Sequence, residues 1–260
     1  MARAPKSPQP KRAEGAPPTD EAAFLTEYDA SEYERPSVTV DVVLVSVKGD
    51  ALVTLVLQRD DHPHKGKVVL PGGFVRIDES LEEAAERVLQ GKAGLSHVFL
   101  EQLYTFGGVR RDPRTRVITV SYFALVAAER FPTEGRDGKG MTARIDVPWA
   151  GETGGAVELK GPLGQTLDVG FDHADIVGMA VKRLRGKLGY APIGFQLLPE
   201  RFTLLDLQRV HEIILGRDLN NDSFRRKMLA SGELEATGRH EIDVGHRPAE
   251  LYRFRHRSAV

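Results

Sequence analysis

The period at which apolar residues recur changes along this chain, and those changes decide what it can fold into. Val38, Val40, Val42 and Val43 open a strand-like run that continues through Leu44, Val45 and Val47. Lys48, Gly49 and Asp50 make a turn, and residues 51–58 return, which is the pattern of a β-hairpin. A third apolar run at 68–70 stops at Pro71, Gly72 and Gly73. The period then switches from two to about 3.6. Ser80 and Glu83 form a capping box, Leu81, Ala84, Ala85, Val88 and Leu89 give one apolar stripe, and Gly94 closes the helix. Strands are expected again at 98–106, 116–128 and 144–149, and a second helix at 173–188. The Gly-rich segment 151–170 reads as a mobile or hairpin-like insertion. Strands interleaved with helices in this way specify an α/β (α+β) domain.

After Gly189 the pattern is different. Thr203 with Asp206 caps a helix whose stripe is Leu207, Val210 and Ile214, ended by Gly216. Asn220 and Asn221 are N-cap residues for the next helix, which carries Phe224, Met228 and Leu229 and stops before Gly232. Two short strand-like runs follow, 233–237 and 250–255, joined by a polar loop. Helix, short turn, helix, then hairpin is the order of a winged helix-turn-helix. The chain therefore divides into a largely disordered tail (1–36, with a short helix at 22–28), an α/β domain (37–189) and a winged helix (190–260). Residues 1–20, rich in Pro, Ala and Lys, lack the apolar surface that would offset their ordering entropy.

Charge narrows the partners. The 36 Lys and Arg against 37 Asp and Glu leave a formal net charge of −1, so bulk positive charge cannot carry nucleic-acid binding, although a local basic surface can. From Arg201 onward there are eleven Lys and Arg, nine Asp and Glu, and four of the eight His. The absence of Cys removes disulfides, thiolate catalysis and Cys-based metal sites. No apolar run approaches the ~20 residues of a membrane span, and the N-terminus has no secretory h-region. A cytoplasmic protein is expected.

Residues 73–95 read GFVRIDESLEEAAERVLQGKAGL. This stretch resembles the Nudix box, which runs G, five residues, E, seven residues, then R-E-U-x-E-E-x-G-U with U aliphatic. Gly73, Glu79, Arg87, Leu89, Gly94 and Leu95 fall in register. Three acids do not: Val88, Gly91 and Lys92 stand in their places. Spaced three and four residues apart, these positions share one helical turn. In Nudix enzymes that face holds divalent metals, and hard cations require clustered carboxylate oxygens. Lys92 puts a positive charge where the metal was. Glu79, Glu82, Glu83 and Glu86 read as a solvated face, with Glu83 pairing Arg87. The expectation is a domain that keeps a nucleotide-diphosphate pocket, has no metal or catalytic residues, and does not hydrolyse. Arg59, Arg110, Arg111, Arg114 and Arg116 are the phosphate candidates, because Arg matches phosphate oxygens bidentately. Phe74, Tyr104 and Phe106 are the aromatic candidates for holding a base.

On the second C-terminal helix, Phe224 and Met228 turn inward, which leaves Arg225 and Arg226 outward, flanked by Ser223 and Lys227. With Asn220 and Asn221 they supply the residue types that read base edges in the major groove. In the last strand Tyr252 and Phe254 alternate with Arg253, Arg255 and Arg257, so period two puts rings on one face and guanidinium groups on the other. Arg239, His240, His246 and Arg247 add positive charge to the wing, where phosphates would lie.

A degenerate Nudix domain followed by a winged helix resembles the Nudix-related transcriptional regulators of NAD metabolism, the NrtR family. The likeness extends over most of the chain, through residues 35–41 (RPSVTVD), 70–74 (LPGGF), 103–106 (LYTF), 112–114 (DPR), 171–173 (FDH), 202–204 (FTL), 224–227 (FRRK) and 251–254 (LYRF). It implies a Nudix-type mixed-sheet α/β/α sandwich joined to the winged helix. It also implies a homodimeric repressor of NAD synthesis or salvage genes that binds a palindromic double-stranded DNA operator and senses ADP-ribose. Two readings compete with it. One is an active ADP-ribose or nucleotide-sugar pyrophosphatase using the Glu82 and Glu86 side of the helix. The other is a scaffold that binds protein through its wing.

Overall fold

A computed structural model of the chain describes residues 20–242, 245 and 247–255. They divide at Pro36. In the first unit, Asp20 caps α1 (Glu21–Glu27) by accepting from the Ala23 N–H. A 3-10 turn at Ala30–Glu32 follows, capped by Asp29, and the rings of Phe24, Tyr28 and Tyr33 contact one another in series. Part of the expected tail is therefore locally ordered by its own caps. Residues 1–19 lie outside the described residues.

The second unit opens with the expected hairpin, β1 (Ser37–Lys48) and β2 (Ala51–Gln58). Its turn is closed by Gly49 at φ 61°, a conformation that favours glycine because no Cβ meets the backbone. Next come β3 (Val68–Val69), β4 (Gly72–Phe74), α2 (Leu81–Ala93), β5 (Phe99–Phe106) and β6 (Val117–Leu125), then β7 (Gly140–Asp146), β8 (Glu158–Lys160) and α3 (His173–Lys187). The strands form one sheet in the order β5-β6-β1-β2-β7-β8, with β3 on β2 and β4 on β1. Among the named strands only the β1–β6 pairing is parallel, so the sheet is mixed.

Period-two burial along β1 builds both layers. Val40, Val42 and Leu44 pack with Ala84, Ala85, Val88 and Leu89 of α2, whereas Val43 and Val45 belong to the opposite core with Ile176, Val177, Ala180 and Leu184 of α3. The result is the α/β/α sandwich. The ends of α2 are built as the sequence specifies. Ser80 and Glu83 complete the capping box, and Gly94 terminates the helix in the left-handed region.

One expectation changes and another narrows. The strand expected at 144–149 is β7, which starts four residues earlier because Gly140 to Ala143 pair with β2. The segment 151–170 takes the hairpin-like form: β8 pairs with β7, Lys160 bridges Thr166, and Val169 pairs with Val68. These main-chain bonds make it an extension of the sheet.

The C-terminal elements are α4 (Leu204–Leu215), α5 (Asn221–Ala230), β9 (Leu234–His240) and β10 (Glu250–Phe254), the order of a winged helix. Thr203 and Asp206 form the capping box of α4, and Gly216 ends it at φ 67°. Gln208 ties the helix pair together by donating to Leu219 O and Asn221 Oδ1. One apolar cluster runs from Val43 to Phe254 without a break at residue 189. A buried cation marks that junction. Arg185 of α3 donates to Ile214 O near the end of α4 and to the carbonyls of Trp149 and Gly151, with the Trp149 ring 4.8 Å from its guanidinium carbon.

Candidate functional site

The register of β1 locates the main cleft. Residues 45–48 pair with β2, but residues 39–41 pair with β4. The hairpin therefore forks, and β3 and β4 line the fork. There a cleft of about 350 Å³ opens, walled by Thr39, Asp41, Arg59, Phe74, Lys92, Arg111, Arg114, Phe171 and His173, among others. That volume suits a small ligand.

A buried ionic network forms its floor. Arg111 donates through Nε and Nη2 to both carboxylate oxygens of Asp172, at 2.8 and 2.7 Å, and reaches Asp41 at 3.4 Å. Only 5% of the Arg111 side chain is exposed. Burial works against its charge, but Asp172, with Asp41 and Asp112 behind it, more than offsets that, so its pKa is raised. His173 Nδ1 accepts from Leu70 N–H at 2.9 Å, which leaves the proton of the neutral ring on Nε2, 3.7 Å from Asp41 Oδ1. Asp41 can sit here because position 72 is glycine, where a β-carbon would overlap Asp41 Oδ1. Phe171 occupies the left-handed region at φ 56°, uncommon for a bulky residue. Its ring packs on His64 and His173, with Arg59 5.2 Å above.

The cleft gathers some of the expected ligand residues and excludes others. Arg59, Phe74, Arg111 and Arg114 line it. Arg111 is committed to Asp172 and Asp41, and Arg114 to Asp112, while Arg59 Nε donates to the carbonyls of Asp61 and Pro63. Tyr104 and Phe106 line a separate depression with Thr105, Gly108, Gly154 and Lys182, because β6 separates β5 from β1. Arg110 is exposed on the loop, and Arg116 donates to Gly108 O of the same loop. Neither lines the cleft. The sequence reading gave no role to Asp41, Phe171 or His173. A charged residue inside the valine run 38–45 is the signal that could have found Asp41.

The Nudix-like segment also differs from expectation in one pairing. Arg87 bonds Glu79, not Glu83, and donates to Phe74 O as well. Glu83 is taken up by its capping bond to Ser80 N–H. The Arg87 guanidinium pulls the Glu79 carboxyl down to about 2, with the Arg76 N–H assisting. Glu82 accepts from the Tyr122 hydroxyl, whose pKa rises to about 12, first through burial and then through Glu82. At the positions where metal-binding acids would stand, Val88 is 3% exposed in the core, Gly91 has no side chain, and Lys92 lines the cleft. Among the described residues no three His, Asp or Glu converge to hold a metal. The acids that the Nudix pattern calls for at these three positions are thus replaced by Val88, Gly91 and Lys92.

On the winged helix, Arg225, Arg226 and Lys227 are exposed on α5 while Phe224 is buried against His211, ring centroids 5.0 Å apart. Arg225 borders a groove with His240, Arg247 and Tyr252. Asn220 is the N-cap, accepting from the Ser223 N–H, and Asn221 accepts from Gln208, so these amides shape the turn. Tyr252 and Phe254 are buried and Arg253 and Arg255 exposed, as period two requires. Arg253, however, is paired with Glu235 across the wing, and Arg255 Nε donates to Leu234 O. Arg239 is exposed at the wing. His246 and Arg257 lie outside the described residues.

Residues 194–254 match the NrtR DNA-binding winged helix domain and residues 35–148 the NUDIX domain. The chain is 38% identical over 238 residues to the ADPR responsive transcriptional repressor NtrR of Acinetobacter baylyi, spanning 91% of this chain and 89% of that protein. It belongs to the NrtR family. Shewanella oneidensis NrtR, solved with a 27mer DNA, is 32% identical, with a TM-score of 0.68 over 84% of this chain and 93% of that one. A MutT/nudix family protein from Enterococcus faecalis is 27% identical, with a TM-score of 0.71 over 90% and 93% of the two chains. This NrtR-family chain thus carries both folds that its sequence implied. No helix among its described residues is long and apolar enough to cross a membrane.

The two buried histidines give this NrtR-family protein a pH signature. Burial lowers the pKa of His173 and of His211 below 6.5. Below that pH the unfolded chain binds more protons than the folded one, so stability is complete above about pH 6.5 and falls as pH drops. The slope is up to ~1.4 kcal/mol per pH unit for each histidine. Denaturant midpoints measured from pH 8 to 5 check this; a curve flat to pH 5 would contradict it.

Proposed function

We propose that this protein is a transcriptional repressor of NAD biosynthesis or salvage genes whose Nudix domain senses ADP-ribose, or a related nucleotide diphosphate, without hydrolysing it. One juxtaposition carries the reading: a diphosphate-sized cleft lacking the three Nudix acids shares a chain with a winged helix whose second helix exposes Arg225, Arg226 and Lys227. The likeness to an ADPR responsive repressor and to an NrtR solved on DNA supports it. The protein acts as a homodimer on a palindromic operator, with half-sites one or two helical turns apart.

The fold supplies a route between the sites. Helix α3 begins at the cleft, where Asp172 holds Arg111 and His173 holds Leu70 N–H. It ends at the winged helix, where Arg185 grips Ile214 O. A ligand alters DNA affinity only if it binds the DNA-competent arrangement and its alternative differently. Titrating operator DNA with and without saturating ADP-ribose is expected to shift the affinity by about 5- to 150-fold; an unchanged affinity rejects the sensing role. In parallel, ADP-ribose with Mg²⁺ should yield no AMP. Steady release of AMP would reinstate the pyrophosphatase reading.

A further inference from the structure

We propose that the Lys92 ammonium replaces the divalent cations of a Nudix site, so that the diphosphate of the ligand is held here without metal. This rests on the nucleotide-diphosphate reading above and goes on to its charge balance. A diphosphate entering the cleft needs positive charge that is not already spent. Arg111 is spent on Asp172 and Asp41, and Arg114 on Asp112. Lys139 is spent on Asp60, while Arg59 keeps its charge but has its Nε fixed on two neutral carbonyls of its own loop and its guanidinium over the Phe171 ring. Lys92 also lines the cleft, and its ammonium has no hydrogen bond or ion pair to any described residue.

Its position is fixed by the backbone around it. Lys92 lies in the last turn of α2. That turn is pinned to the loop before β7, since Arg136 N–H donates to Lys92 O and Arg136 Nη1 to Gln90 O. Neighbouring positions offer a metal nothing. Val88 faces the core, and beyond the Gly91 backbone there is open space. Two of the cleft's aspartates, Asp41 and Asp112, already face the guanidinium groups of Arg111 and Arg114. A hard cation needs several oxygen ligands at once, whereas an ammonium is a compact point charge with three donors that satisfies phosphate oxygens alone.

Calorimetry of the full chain with ADP-ribose, in excess EDTA and then in millimolar Mg²⁺, tests the proposal. The parent protein and the Lys92→Gln and Lys92→Arg variants are compared. The expected result is one affinity in both buffers for the parent, a loss of about 10- to 100-fold for Lys92→Gln, and retention by Lys92→Arg. Melting temperatures of the three proteins separate this from a helix-end role, which would lower the melting temperature and leave affinity unchanged. Binding that tightens tenfold or more on adding Mg²⁺, or a Lys92→Gln variant that binds like the parent, overturns the proposal. No binding by the parent in either buffer is a different result: it overturns the ADP-ribose reading, and this inference falls with it.

Discussion

Replacing Arg111 with alanine is expected to destabilise the fold by about 3–5 kcal/mol, the cost of removing one partner from a buried ion pair. The side chain lies beneath the cleft and holds Asp172 bidentately while facing Asp41. Both carboxylates lose their cation in the variant, and His173 Nε2 lies 3.7 Å from Asp41 Oδ1. At present burial lowers the His173 pKa most, Asp41 and Asp172 raise it, and Arg111 and Arg59 add to the lowering. Without Arg111 the balance moves toward the charged ring. The folded variant then binds a proton more readily than the folded parent, so its deficit should shrink as pH falls from 8 toward 5.5. Urea denaturation of parent and variant at both pH values measures this. A companion variant, Arg111→Met with Asp172→Asn, removes one of the two orphaned charges and should recover part of the loss, with Asp41 still facing the vacated position. A deficit below ~1 kcal/mol at pH 8 would mean that water already solvates the network.

This network also marks where the sequence was legible and where it was not. Helix ends were readable because their signals are local. Ser80 with Glu83 and Thr203 with Asp206 close their own capping boxes within four residues. The Val38 to Gln58 hairpin followed from period two and a Gly49 turn. The start of β7 at Gly140 was not readable, since Gly-Met-Thr-Ala has little strand character and pairs only because β2 presents a ladder. Likewise i, i+4 spacing suggested Glu83 for Arg87, but Glu83 was already used by its helix N-terminus and Glu79 reached in from the loop. The cleft was the least legible part. Arg111 meets Asp172 across 61 residues, and Leu70 meets His173 across 103. Four of the eight ligand-binding candidates line the cleft. Tyr104 and Phe106 are candidates by residue type, which says nothing about which strand intervenes.

On the DNA side, the structure concentrates the expected effect on α5. Asn220 and Asn221 are occupied at the turn, and Arg253 is paired with Glu235. That leaves Arg225, Arg226 and Lys227 exposed, and the helix period separates their roles. Arg226 lies about 200° around the helix from Phe224, away from the core, where a base edge would be met. Arg225 borders the groove shared with His240 and Arg247 of the wing, where a phosphate would lie. Arg226→Ala is therefore expected to weaken operator binding by ~1–3 kcal/mol while leaving affinity for unrelated DNA within a few-fold. Arg225→Ala should weaken both and reduce the salt slope of binding by about one. Arg253→Ala should change either affinity by no more than ~1 kcal/mol, since its guanidinium must leave Glu235 before it can contact phosphate. Fluorescence anisotropy with operator and scrambled duplexes across a salt series separates the three. An Arg226→Ala variant that loses specific and non-specific binding equally would move that residue from base reading to backbone contact.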